Sequence, residues 1–156
     1  MNLLPDWAPN IHPLIVHFPI AWWIGAVMFD LVALTVSRAR WADTTASLLY
    51  PAGAISAGIA YLTGRQAAAT VHMTGMADSI VLEHWNWALV TVTGFTLLAG
   101  VRLWLQWKRP PSPRWVRTAF AAAALAALVS LFETGERGAR LVFGHGVGVA
   151  APGPGR

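Results

Sequence analysis

Apolar residues in this chain are gathered into four long runs, not spaced three and four apart as on the inner face of a water-soluble helix. The first, 14–36, contains one ionisable group in its second half, Asp30, and stops at Ser37-Arg38-Ala39-Arg40. The second, 46–69, is thick with Ala and Gly and meets a charge only at Arg65. The third covers 82–107 and the fourth 115–133. Each is close to or above the roughly 20 residues that carry a helix across a bilayer core. The turn Lys108-Arg109-Pro110-Pro111-Ser112-Pro113-Arg114 cannot remain helical, because proline lacks the N–H and clashes with the preceding turn. The expected fold is an all-α membrane protein, a four-transmembrane-helix up-down bundle forming one domain over 1–150, with no separate soluble domain.

Composition agrees with that pattern. The 156 residues are 56% hydrophobic and 12% charged, against roughly 25% charged in an average soluble domain, which excludes an ordinary soluble enzyme. Cysteine is absent, so disulfides, iron–sulfur clusters, c-type haem attachment and thiolate zinc sites are excluded. Any chemistry must use His, carboxylates, Trp or Tyr. No basic stretch precedes a short apolar segment at the N-terminus, so Met1 is expected to be the mature start.

The net charge of +4 changes the picture only through its placement. Arg38, Arg40, Arg102, Lys108, Arg109, Arg114 and Arg117 fall on one side of the predicted bundle, Arg65, Arg137, Arg140 and Arg156 on the other. By the positive-inside rule the first group faces the cytoplasm, and both termini face the periplasm of a bacterial inner membrane. Nucleic acid is not an expected partner. Most of the nine tryptophans fall near span ends, as interfacial belts require. Ser56/Ala60/Gly64, Ala54/Gly58 and the alanines of the fourth run have the small-residue spacing that lets helices approach closely in lipid.

All five histidines, His12, His17, His72, His84 and His145, are expected on the periplasmic side. His17 and His84 each lie within about a turn of a helix start, at similar depth, which suits two axial ligands facing across a bundle core. His12 and His145 are a candidate second pair, and the sequence leaves the pairing open between His17 with His84 and His12 with His84. Five residues on an ideal helix is about 140° of rotation, so His12 and His17 are not expected to share a face. Neutral imidazole is a usual membrane-embedded ligand of haem iron, and it also binds copper or zinc. A weak internal repeat supports the pairing. Thr63-Gly64 closes the second helix and Thr134-Gly135 the fourth, so that His17 to Thr63 spans 46 residues and His84 to Thr134 spans 50. Two such hairpins are expected to be related by a pseudo-twofold along the membrane normal.

Asp30 is the one acidic group well inside a span, and an unpaired carboxylate in hydrocarbon is expensive. A structural pair with Arg102 is the expectation, a proton relay the sharper alternative. Glu83 and Glu133 either orient an imidazole N–H or are simply solvated. The stretch 134–150, with Leu141, Val142, Phe143, Val147 and Val149 among glycines, is expected to form a short folded C-terminal segment over the periplasmic end of the bundle, and 151–156 a disordered tail.

His-Pro-Leu-Ile-Val-His-Phe-Pro-Ile-Ala at 12–21, Phe29-Asp30-Leu31, Thr63-Gly64, Glu83-His84 and Gly-Ala-Arg-Leu-Val-Phe-Gly-His-Gly-Val-Gly-Val at 138–149 resemble the bacterial membrane proteins grouped as domain of unknown function 2231. The likeness runs over about 11–149. It implies a membrane electron-transfer setting, because relatives occur fused to c-type cytochrome or Rieske-like modules, and it marks His12, His17, His84, His145 and Asp30 as family positions. The resulting expectation is a b-type-cytochrome-like electron-transfer subunit of a larger membrane complex. It would bind haem b and work between a quinol or other membrane donor and a periplasmic cytochrome or similar acceptor. A non-redox accessory subunit held among other membrane subunits, and a periplasm-facing copper or zinc site, are the alternatives.

Overall fold

The computed structural model describes residues 10–36, 38–70, 76–108 and 112–148. Helices α1 (His12–Ile15) and α2 (His17–Thr35) form the first span, followed by α3 (Arg40–Thr70), α4 (Met76–Lys108) and α5 (Arg114–Ala139). Among the described residues there is no strand. Four segments among the described residues are long and apolar enough to cross a membrane: His12–Thr35, Arg40–Ala69, Ala77–Trp107 and Arg114–Gly144.

The bundle is apolar outside, with small, aromatic and polar residues inside. Leu48, Ile55, Leu97 and Phe132 are each about two-thirds exposed or more, at 67%, 69%, 66% and 70%. The core instead holds Ala26, Ala46, Ala57, Ala99 and Ala124 around Trp23, Tyr50, Phe95 and Phe120. Such a surface is stable only against lipid, where large side chains lose nothing by facing outward and small ones let backbones approach. Consecutive helices pack side by side, and α5 closes the ring against α2. Helices α2 and α4 are therefore diagonal and meet through side chains at the centre.

Local sequence explains the helix limits. Pro19 removes the N–H that would bind the Ile15 carbonyl, and the first helix breaks one residue on, at Val16, where α1 ends and α2 begins. Asn10 Oδ1 accepts from the His12 N–H at 3.1 Å and fastens the start. At the other terminus, α5 does not stop near Phe132. It continues through Gly135 to Ala139 and widens into a π-turn, Arg140–Gly144. Ion pairs four residues apart, Glu133–Arg137 and Glu136–Arg140, hold this extension. Gly146, at φ 64°, then ends it, with its N–H on the Val142 carbonyl and that of Val147 on Leu141. Most of the expected C-terminal segment is thus helical, and Leu141 is its buried anchor. His72, the central residues of the proline-rich turn and the tail 151–156 lie outside the described residues.

Trp41, Trp104, Trp107 and Trp115 are exposed at the end of the bundle near Arg40 and Arg114, as belt residues should be. Trp23 is not a belt residue: it is 1% exposed and stacks on Phe95, with ring centroids 4.3 Å apart and planes 9° off parallel. It lies so tightly on α3 that a Cβ at Gly53 would stand 2.3 Å from its Cδ1 and Nε1.

Candidate functional site

Two polar clusters occupy opposite ends of the core. At the first, His12 and His84 are half-buried, and His12 lies within electrostatic reach of His84. His12 Nδ1 is 3.1 Å from Thr63 Oγ1, and His84 Nδ1 is 2.9 Å from the Thr134 carbonyl oxygen. These contacts span 51 and 50 residues of chain, so the hairpin repeat is in closer register from His12 than from His17.

The hydrogen bonds define the protonation of each ring. The Thr134 carbonyl only accepts, so the Nδ1 of His84 is the donor. With the Thr63 hydroxyl donating to the Ala60 carbonyl at 3.0 Å, its oxygen is left to accept from the Nδ1–H of His12, and the Ala60 carbonyl is itself a backbone hydrogen-bond partner of the His12 ring. A neutral imidazole protonated at Nδ1 keeps its lone pair on Nε2. Thr134 is braced in turn. Its hydroxyl donates to the Ser130 carbonyl at 2.8 Å and accepts from buried Thr91 at 2.9 Å.

Both rings lie on glycine. A Cβ built at Gly64 would be 3.0, 3.3 and 3.4 Å from Cε1, Nε2 and Nδ1 of His12. Such near-equal distances place Gly64 over the ring face, since an approach in the ring plane at Cε1 would leave both nitrogens farther away. A Cβ at Gly138 would be 3.3 Å from His84 Cε1. The in-plane lone pair of the His12 Nε2 is left unobstructed by Gly64.

The other expected ligands are elsewhere. His17 is exposed on the outer side of α2, rotated away from His12 as the helical geometry requires. His145 is exposed beyond the π-turn. Packing therefore brings His12 to His84, and not His17. Glu83 and Glu133 do not hold either imidazole: both bind Arg137, Glu83 at 3.1 Å, and the Arg137 guanidinium lies 5.2 Å from the Trp87 ring centre.

At the opposite end, Arg102 joins Asp30 at 2.9 Å and Asp43 at 2.7 Å, and its Nε donates to Ser47 Oγ at 2.9 Å. Tyr50 donates its hydroxyl to Asp30 Oδ2 at 2.8 Å, and Phe120 lies under the guanidinium at 5.5 Å. Arg117 binds the Ala33 carbonyl. All of the long helices contribute, which satisfies charges that could not stand alone in hydrocarbon. Between this cluster and the histidines lies the Trp23–Phe95 stack, with the Tyr50 ring beside Phe95.

The roles of Tyr50, Asp43, Thr91 and the Trp23–Phe95 stack are not evident from the apolar runs. A signal for part of them was present: the interval of 72 residues from His12 to His84 also separates Trp23 from Phe95 and Asp30 from Arg102. Steps of 11 and 7 residues return to nearly the same face of a helix, so three positions on α1–α2 meet their equivalents on α4.

Fold and site together define a four-helix integral membrane bundle with a paired-histidine cluster at one end. The family model described as "Predicted membrane protein (DUF2231)" matches residues 8–151, and the chain belongs to that family. No curated protein and no solved structure matches it.

Proposed function

We propose that the chain is a b-type-cytochrome-like electron-transfer subunit that holds haem b between His12 and His84. The observation that carries this reading is the matched placement of the two rings, each with its Nδ1 at an oxygen to which an Nδ1–H can donate, an arrangement that leaves Nε2 for a ligand. A donor of this kind orients a ligating imidazole and raises its basicity. The ligand count favours haem over zinc or copper. Haem iron would need no more than two ligands from the protein, which His12 and His84 would supply, whereas a protein zinc site takes three or four protein ligands. No group of three or more His, Cys, Asp or Glu side chains is arranged to hold an ion among the described residues. Of the three pairs at the 72-residue interval, only the histidines are identical, as suits equal ligation from both faces of one flat group.

Haem iron would supply a one-electron couple. His12 and His84 would hold it, Thr63 and Thr134 would fix their rings, and the apolar helices would keep the site in the membrane. The seven-to-four distribution of basic residues supports an orientation with the histidine end towards the periplasm of a bacterial inner membrane. There the subunit would serve a periplasmic cytochrome, with a quinol or another membrane subunit as donor. A non-redox accessory role draws on exposed Gly58 and Gly100, where nothing lies within 4 Å of a would-be Cβ and a partner helix could approach.

Oxidised and dithionite-reduced absorption spectra of the protein purified in mild detergent, before and after incubation with hemin, test the reading. A reduced α-band that survives His17→Ala and is lost in His12→Ala and in His84→Ala is the expected result. A folded protein that stays colourless in hemin overturns the haem assignment and leaves the accessory role.

A further inference from the structure

The end of the bundle opposite the histidines carries charge that the protein itself does not balance. Seven basic residues fall there against two acidic ones, Asp30 and Asp43, and both carboxylates are bound by Arg102. Arg38, Arg40 and Arg114 are exposed, and none of the three is paired with a carboxylate among the described residues. At the histidine end, by contrast, Arg137 and Arg140 are each neutralised by glutamates. The three unpaired arginines belong to one corner. Arg117, one turn after Arg114 on α5, binds the carbonyl of Ala33 in the last turn of α2. That contact sets the start of α5 beside the α2–α3 connection, which carries Arg38 and leads into Arg40. The first turn of α5 has no side-chain cap and no acidic residue, so its free N–H groups add to the same positive field. Apolar surface adjoins the charge. Trp41 and Trp115, each next to one of the arginines, are 61% and 72% exposed. Along α5, Ala119, Ala122, Ala123 and Ala126 recur at helical spacing on one exposed face.

We propose that this corner binds an anionic phospholipid, with Arg38, Arg40 and Arg114 on its phosphate headgroup and an acyl chain along the alanine face of α5. The planar guanidinium matches phosphate oxygens in geometry as well as charge, and basic residues at a membrane surface select anionic lipid. Tryptophan rings sit at headgroup level, where Trp41 and Trp115 flank the arginines. Below them the alanines leave a shallow surface that an acyl chain can follow closely. A soluble polyanion would meet the arginines but make no use of the alanine face, and a second helix on the alanines would leave the arginines unbalanced. An anionic lipid serves both. Its retention requires neither haem nor the histidine pair.

The test is native mass spectrometry of the full-length protein, purified in mild detergent, stripped of lipid and titrated with phosphatidylglycerol, with phosphatidylcholine or with inorganic phosphate. Phosphatidylglycerol should bind selectively over phosphatidylcholine, and its binding should weaken as salt is raised. A basic residue near an anionic headgroup is worth about fivefold in affinity. Arg38→Gln, Arg40→Gln and Arg114→Gln should therefore each weaken phosphatidylglycerol binding by about that factor, and the triple variant by about a hundredfold. Arg65→Gln, which removes an exposed arginine at the histidine end, should leave binding unchanged. Ala122→Leu should weaken it with every arginine intact. Thermal melts by circular dichroism establish that each variant is folded. Equal binding of the two lipids overturns the proposal, as does a loss in Arg65→Gln as large as that in Arg114→Gln. Inorganic phosphate that displaces phosphatidylglycerol as well as added lipid does would make the corner a free-anion site and also overturns it. So does an oligomer that Ala122→Leu dissociates while lipid binding is unchanged, since the alanine face would then belong to a second helix.

Discussion

Asp30 and Arg102 meet at 2.9 Å across the bundle from positions 72 residues apart in the chain, the interval that also relates Trp23 to Phe95 and His12 to His84. One helix face thus carries three residues whose counterparts lie on the diagonal helix. At the outer two positions the pairs are polar, and between them an aromatic stack fills the centre. Arg102 is the hub of its cluster, with two carboxylates and a serine on one guanidinium. Arg102→Ala should therefore destabilise the bundle most, by about 3–5 kcal/mol, because it leaves Asp30 buried without a counter-charge. Asp30→Ala should cost less, since Arg102 keeps Asp43. The double variant should lose less than the sum of the singles. Unfolding in mixed detergent, followed by circular dichroism, gives all three values.

Gly53 and Gly58 sit on the same helix with opposite surroundings. A methyl at Gly53 would collide with the Trp23 ring, which is pinned by Phe95. Gly53→Ala should cost about 1–3 kcal/mol, as overpacking of a filled core does. Gly58→Ala meets nothing within 4 Å and should be neutral or gain up to about 1 kcal/mol from helix propensity. The same unfolding assay separates them.

The two Thr-Gly pairs of the repeat are not equivalent in space. Gly64 lies against the His12 ring, whereas a Cβ at Gly135 has open space around it, and the contact to His84 comes from Gly138 one turn later. Gly64→Ala should push His12 from its place and weaken hemin uptake about tenfold or more, the scale of changes to groups that orient a ligand. Gly135→Ala should leave uptake unchanged. Hemin titration followed in the Soret region decides this.

Glu83 and Glu133 adjoin the histidine end, yet their carboxylates engage Arg137. Glu83→Gln and Glu133→Gln should leave hemin uptake and the reduced spectrum as in the wild type. Their effect on stability should be within about 1 kcal/mol, as expected of ion pairs at a solvent-facing rim. Loss of the reduced α-band in either variant would instead place a carboxylate in contact with an imidazole.

Much of the architecture was legible along the chain because the signal is local. Runs of apolar residues near the thickness of a bilayer define the spans, and Pro110, Pro111 and Pro113 separate the last two. The stop of the fourth span was harder to read, since Glu133, Glu136, Arg137 and Arg140 look like a polar loop until their spacing of four is seen as helical ion pairing. The site was half legible. His84 and the two threonines stood out by motif and spacing, but His17 looked the better partner because it lies within about a turn of a helix start, at a depth similar to that of His84.

Composition and residue order alone establish a four-span membrane protein with one acidic residue well inside its first span and His12, His17, His84 and His145 near the span ends. Those properties follow from composition and order, which lipid reads residue by residue. Helix packing is what sets His12, and not His17, with His84, gives the rings to the threonines and not the glutamates, and places Trp23 in the core. The break at Val16 and the diagonal placement of α2 and α4 select which side chains meet. That selection depends on rotation about helix axes, where about 140° turns a core residue into a lipid-facing one and the apolar pattern hardly changes.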